Sequence, residues 1–332
     1  MGPLSGPDGH REVPALAERL RGTVVPAVLT PISADGTAGL DALASYAAAL
    51  VAAPIGGVAV WAHTGRALYL TRDERCAVLR VWRQSTQLPV VAGAGVPMDQ
   101  DRRDTGQALT HTLGMALDAA KLGADAIMVY PPTAFAGDPH GDDLLLDLHQ
   151  RVAAETGLPV LGFHLHDEGG GYRYHRRLLD RLLGVPGMLG IKTATLSNAI
   201  TCQDTIIACR EAGALAITGE DRMFGPSYLW GADAALVGIA AAAVELTTAV
   251  AEAWGHGDAA TFVAASQRLD RFAAVTFDAP IEGYVQRMMW VAVAQGWLHP
   301  DFAHDPFGPA LPASERDRVV AAYREAYVAH RR

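Results

Sequence analysis

The chain has 332 residues, half of them apolar, and a formal net charge of −9 from 36 acidic and 27 basic side chains. That length and apolar content bury one large core or two modest ones, which excludes a disordered chain and a small disulfide-stapled fold. Acids and arginines are dispersed without a basic block, so nucleic acid and anionic membranes are not expected partners. Residues 1–21 read as a frayed N-terminal extension with a short helix over 13–21. Eight apolar segments then recur with helical stretches between them, at 23–29, 57–61, 89–92, 126–130, 159–163, 189–191, 215–218 and 235–239. Runs that are apolar on both faces fit parallel strands covered by helices. Several helical stretches end at glycine stops, as in Lys121-Leu-Gly-Ala-Asp125 and Glu155-Thr-Gly-Leu-Pro159. Eight such units over 22–240 predict an α/β fold, a (β/α)8 TIM barrel; periodicity alone leaves an open doubly wound sheet as the alternative. After the eighth strand, 241–254, 259–275 and 281–295 read as helices without intervening strands, and 314–330 as a last amphipathic helix. Residues 241–332 are thus expected to form a helical region packed directly on the barrel.

Cys76, Cys202 and Cys209 are odd in number and outside CxxC spacing, which suits reduced thiols. No charged start followed by an apolar segment opens the chain, and Gly, Asp or Glu interrupts its longest apolar stretches. The expectation is a soluble, cytoplasmic protein.

Only two of the 27 basic residues are lysines, Lys121 and Lys192. Lys192 closes the apolar run Gly187-Met-Leu-Gly-Ile-Lys192, where a desolvated amine can lose its proton and form an imine, as an Arg cannot. The bland alternative is a lysine at a strand end whose stem is buried and whose amine reaches water. Chemistry in such a barrel gathers at the C-terminal strand ends. The polar residues there are His63, Thr64 and Arg66 after strand two, Thr133 after strand four, and His164, His166, Asp167 and Glu168 around the end of strand five. Lys192 ends strand six, and Glu220 and Asp221 follow strand seven.

Several segments together resemble one family. They are Val24-Val-Pro-Ala-Val-Leu-Thr-Pro-Ile32 with Asp35-Gly36, Trp61-Ala-His-Thr-Gly-Arg66 with Asp73-Glu74-Arg75, Gly93-Ala-Gly95, Gly123-Ala-Asp125, Gly190-Ile-Lys192, Gly219-Glu-Asp221 and Ala279-Pro-Ile-Glu282. In that register the chain resembles the dihydrodipicolinate synthase and N-acetylneuraminate lyase superfamily, the pyruvate-type class I aldolases. The resemblance implies that Lys192 is a Schiff-base lysine, so that the reactive group is a covalent imine and no cofactor or metal is expected. It implies that Thr64 and Gly65 hold the carboxylate of a 2-oxo acid through a hydroxyl and backbone N–H groups. Arg66, Thr133, Phe163, Glu168 and Gly219 fall on the remaining substrate site. It also implies a homodimer or homotetramer, with Trp290 and Met289 as packing residues.

The departures from the family pattern are informative. Phe163 stands where the family has a proton-relaying Tyr, and Thr133 and Ala134 replace paired tyrosines. His63 replaces the first Thr of a Thr-Thr pair, Arg66 replaces a Glu, and Glu168 falls near the synthase's substrate-binding Arg. These changes argue against dihydrodipicolinate synthesis and for lyase, aldolase or dehydratase chemistry on a sugar-derived or hydroxylated 2-oxo acid. His63 is the candidate replacement in the relay, because an imidazole serves as acid and base near neutral pH. Two other readings remain. His164-Leu-His166 has the spacing of metal-dependent hydrolase barrels, although alternation gives the inward places to Phe163 and Leu165 and turns both histidines toward helices or solvent. A barrel that binds a ligand without catalysis is the second.

Overall fold

The computed structural model describes residues 9–166 and 169–330. Its eight strands are β1 (Val24–Pro26), β2 (Val58–Val60), β3 (Val90–Ala94), β4 (Ala126–Val129), β5 (Val160–Leu165), β6 (Met188–Ala194), β7 (Leu215–Thr218) and β8 (Ala234–Val237). Neighbours from β2 to β8 pair in parallel and β8 pairs back onto β1. A parallel bridge between Ala27 and Ala59 joins β1 to β2, so the sheet is a TIM barrel and the open-sheet alternative is excluded. Around it run α1 (Gly9–Leu20), α2 (Leu40–Leu50), α3 (Arg72–Ser85), α4 (Thr105–Lys121), α5 (Gly141–Thr156), α6 (Arg176–Leu183), α7 (Ala199–Glu211) and α8 (Phe224–Trp230), followed by α9 (Val244–Gly255), α10 (Ala259–Thr276), α11 (Tyr284–Ala294) and α12 (Ala313–His330). Among the described residues no helix is long and apolar enough to cross a membrane.

The apolar character of both strand faces has two destinations. Val25, Ala27, Ala59, Val91, Met128, Leu161, Phe163, Leu215, Ile217 and Leu236 fill the barrel interior. Val24, Val58, Val60, Val90, Ile127 and Val160 point the other way and pack with the helices. Each strand is therefore dry on both sides. The N-terminal helix starts earlier than the sequence suggests and is not frayed over its second half. Leu16 and Leu20, one turn apart, are buried in the interior set and close the end of the barrel near Val25 and Leu189.

Strand β6 continues two residues past Lys192, correcting the expectation that Lys192 ends it. Its pairing with β5 contains an irregularity: Val160 faces Met188 while Leu161 faces Gly190, leaving Leu189 as an extra residue. Such a bulge inverts the alternation of faces. Leu189 belongs to the interior and Ile191 to the outer layer, so Lys192 returns inward, in register with Phe163 and Ile217. Gly190 permits this, because a Cβ there would lie 1.9 Å from the Leu215 carbonyl oxygen.

Candidate active site

Lys192 is buried at the C-terminal side of the barrel, its Nζ 4.0 Å from the centroid of the Phe163 ring. Its side chain passes over Gly219, where a Cβ would lie 2.3 Å from Lys192 Cε and 2.3 Å from the Thr193 carbonyl oxygen. Only a residue without a side chain fits there. Burial pushes the amine's pKa down from the ordinary lysine range, and the charges of Asp221 and Glu220 oppose part of that fall. Burial in turn raises the Asp221 carboxyl, against hydrogen bonds from the Ile239 and Gly238 N–H groups and the charge of Lys192. The Ile239 N–H donates to Asp221 Oδ1 at 2.7 Å. Glu220 accepts from the Thr195 N–H at 2.6 Å, the Thr195 hydroxyl at 2.9 Å and the Leu196 N–H at 2.9 Å, which fixes the loop after β6.

An inner pocket of about 50 Å³ surrounds Lys192 and is lined by His63, Thr64, Phe163, His166, Gly219, Asp221 and Tyr284 among others. It shares Ala62, His63, Leu165 and Glu282 with an outer chamber of about 330 Å³. The two spaces are one cleft with a narrow reactive end and a wide mouth.

The loop after β2 supplies the shared wall. Trp61 and Arg66 adopt φ of 58° and 52°, a left-handed conformation unusual for such residues and sustained only by firm neighbours. Trp61 Nε1 donates to the Arg75 carbonyl at 2.8 Å. Arg66 is buried and bound on every side: Nε and Nη2 donate to the Asp305 carboxylate at 2.7 to 3.2 Å, Nη2 to the Glu282 carbonyl at 2.9 Å and Nη1 to Glu282 Oε2 at 2.8 Å. His63 Nε2 lies 2.9 and 3.1 Å from the two carboxylate oxygens of Glu282. In the neutral ring that bond places the proton on Nε2 and leaves Nδ1 as an acceptor.

Thr64 Oγ1 lies 3.0 Å from the Tyr284 hydroxyl. Tyr284 stacks on Phe277 with centroids 4.8 Å apart and runs nearly parallel to His63 at 6.3 Å. The C-terminal segment also roofs the mouth. The Phe302 carbonyl accepts from the Ile32 N–H at 2.9 Å, the His304 N–H donates to the Ile32 carbonyl at 3.1 Å, and Phe307 stacks on Tyr69 at 4.8 Å.

The structure thus brings together Lys192, His63, Thr64, Phe163 and Gly219, as the sequence suggested. Other expectations need correction. The Gly65 N–H donates to the Ala62 carbonyl at 3.0 Å within a 3-10 turn, so it does not serve as a carboxylate donor. Arg66 lines the chamber, but its N–H groups are taken by Glu282 and Asp305, which makes it a clamp rather than a substrate cation. Thr133 turns away, donating to the Arg102 carbonyl at 3.1 Å, and does not line either space. Glu168, with Asp167, lies outside the described residues. His164 faces the helices, with Nδ1 2.9 Å from the Thr205 hydroxyl and Nε2 accepting from the Tyr174 N–H at 3.2 Å. His166, expected to face helices or solvent, lines the inner pocket because β5 ends at Leu165 and the chain leaves the pleat there. Among the described residues no three His, Cys, Asp or Glu side chains group to hold a metal. Asp221 and Tyr284 are the site residues the sequence reading missed. Asp221 was visible as a polar residue after strand seven, whereas nothing local marks Tyr284.

Comparison with known proteins follows the same lines. An uncharacterized DapA-like lyase of Halobacterium salinarum is 28% identical over 242 residues, 71% of this chain and 72% of that protein. The 4-hydroxy-tetrahydrodipicolinate synthase 1 of Streptomyces coelicolor is 30% identical over 237 residues, 70% of this chain and 71% of its own. The catalytic lysine mutant of Ruminococcus gnavus sialic acid aldolase superposes with a TM-score of 0.80 at 18% identity, covering 95% of this chain and 98% of that one. The model of the Dihydrodipicolinate synthetase family matches residues 20–325, nearly the whole barrel and its helical appendage, and the chain belongs to that family as a divergent member.

Proposed function

We propose that the protein is a class I lyase that forms a Schiff base between Lys192 and a pyruvate-type 2-oxo acid, using no metal or other cofactor. The observation that carries this reading is a buried lysine amine, lowered in pKa by its surroundings, set in a small pocket that opens into a chamber large enough for the rest of a substrate. The neutral amine adds to the C2 carbonyl, and the carbinolamine takes up a proton and loses water, giving a protonated imine. The Phe163 ring cannot relay a proton, but its face 4.0 Å from Nζ favours the positive iminium. The iminium accepts the electron pair of the breaking C3–C4 bond while a base removes the C4 hydroxyl proton, and an aldehyde departs. The resulting enamine is protonated at C3 and hydrolysed, releasing the shortened 2-oxo acid and the free lysine. In the dehydratase variant the C3 proton leaves first and the C4 hydroxyl departs with its electron pair.

Thr64 is assigned to the C1 carboxylate and His63 to proton transfer, with Glu282 orienting the ring. A hydroxylated substrate fits a mouth lined by both polar and apolar side chains. The family includes proteins named as synthases and aldolases, and Glu168 near the place of the synthase's substrate-binding Arg favours cleavage or dehydration over dihydrodipicolinate synthesis.

Incubation with pyruvate and borohydride, followed by peptide mapping, tests the mechanism. One reduced ligand mass is expected on Lys192 and none on Lys121, which is exposed at the end of α4. Absence of label on both lysines, or an active Lys192→Ala protein, would remove the Schiff-base mechanism.

A further inference from the structure

The outer chamber contains two arginines in different electrostatic situations. Arg66 is neutralised by Asp305 and Glu282. Arg102, in the segment between β3 and α4, is half-buried and lines the same chamber. Among the described residues it has no carboxylate partner. Its Nη1 meets the thioether sulfur of Met98, a weak acceptor that carries no charge. The nearby acids are committed elsewhere: Asp101 accepts from the Arg103 N–H at 2.9 Å and Asp104 from the Gln107 N–H at 2.7 Å.

The position of Arg102 is held independently of any anion. Its carbonyl accepts from Thr133 at 3.1 Å, tying the β3–α4 segment to the turn after β4. Its guanidinium lies beside Gly170, where a Cβ would come 3.6 Å from Nη2. The backbone of Arg102 is therefore tied to the turn after β4, and its guanidinium borders the chamber beside Gly170. A half-buried guanidinium without a carboxylate partner keeps a full positive charge free to pair with an anionic ligand in the chamber. Its planar pair of N–H donors matches a carboxylate in two parallel bonds.

We infer that Arg102 binds a second carboxylate on the substrate, at the end remote from the 2-oxo group, so that the enzyme is selective for 2-oxo diacids. This inference rests on the Schiff-base reading of Lys192, since it is the imine that anchors the other end of the molecule. It assigns the substrate class from the β3–α4 segment, a different place from the strand-five loop in which the synthase carries its cation.

The test uses the full chain and two pairs of length-matched probes, 2-oxoglutarate with 2-oxopentanoate and 2-oxoadipate with 2-oxohexanoate. The concentration giving half-maximal borohydride-trapped adduct on Lys192 is read by intact mass and peptide mapping. In the natural protein the diacid of at least one pair is expected to half-saturate at a concentration 10-fold or more below its monoacid. Arg102→Gln should reduce that ratio to within about 2-fold, and Arg102→Lys should retain part of it. Because the ratio is taken within each variant, loss of folded protein cancels. Equal half-saturation in both pairs, or a diacid preference that survives in Arg102→Gln, overturns the inference while trapping at Lys192 still supports the Schiff base. Failure of pyruvate and all four probes to label Lys192 overturns both.

Discussion

Asp221 sets the working pH of Lys192 in this arrangement. Burial lowers the amine, and the carboxylates of Asp221 and Glu220 raise it again in part. Imine formation uses the neutral amine, so the trapping rate rises with pH through the lysine ionisation, whose midpoint lies below the ordinary value of about 10.4. Removing the Asp221 charge takes away a term that favours the ammonium form. Asp221→Asn is therefore expected to move the rising limb toward lower pH by about half a unit or more, and a shift toward higher pH would contradict the assignment. In the same series His63→Gln should still trap pyruvate but turn over substrate roughly 100-fold more slowly; wild-type turnover would end its role as a relay. Lys192 was legible because a rare lysine stands out in an apolar run, and Gly219 because Gly219-Glu-Asp221 resembles a family segment. Tyr284 was not, because its partner Thr64 lies 220 residues away; Ala279-Pro-Ile-Glu282 marked the helix start but not the role of the tyrosine after it.

The elements around the mouth are joined by one charged clamp, in which Arg66 from the β2–α3 loop grips Asp305 and Glu282 from the C-terminal region. Arg66 and Asp305 side chains are 2% and 1% exposed, so neither charge is satisfied by water if the other is lost. Arg66→Gln is expected to cost about 3 to 5 kcal/mol of stability in chemical denaturation, and Arg66→Gln with Asp305→Asn should recover part of it. A loss under 1 kcal/mol for the single change would show that the clamp is not a stabilising joint. Burial would raise Glu282, but hydrogen bonds and charges from His63 and Arg66 hold it at about 2. A folded-state value below the unfolded one of about 4.3 adds stability above that pH and loses it only as the pH falls through the folded value, so this part of the clamp stays shut at neutrality. The sequence displayed Arg66 as a departure but not its role, because Asp305 sits in an irregular segment whose course is set by long-range pairing with Ile32. The bulge that turns Lys192 inward was equally hidden: strict alternation from Leu189 puts Lys192 on the outer face, and only Gly190 hints at the extra residue.

At the scale of the molecule the eight segments dry on both faces pointed to the barrel, and the Ala27–Ala59 bridge decides between it and the open sheet that periodicity left possible. The strand pattern gave less about assembly. Met289, expected as an intersubunit residue, is fully buried within the chain, and Trp290 is half-buried. Exposed apolar side chains instead occur on the appended helices and their neighbour, with Leu229 64%, Val263 52% and Trp254 41% exposed. A homodimer or homotetramer is expected, and light scattering should return two or four times 35.1 kDa; a mass of one chain would refute it. The plug formed by Leu16 and Leu20 has a further consequence for turnover. With that end of the barrel filled, the cleft is a blind alley whose reactive group sits at its closed end. In the proposed reaction a substrate would enter tail outward, and after cleavage the fragment still tethered to Lys192 would lie behind the one that has been freed. The aldehyde would then leave before the 2-oxo acid, and in the reverse direction the 2-oxo acid would enter first: an order of traffic imposed by a single exit.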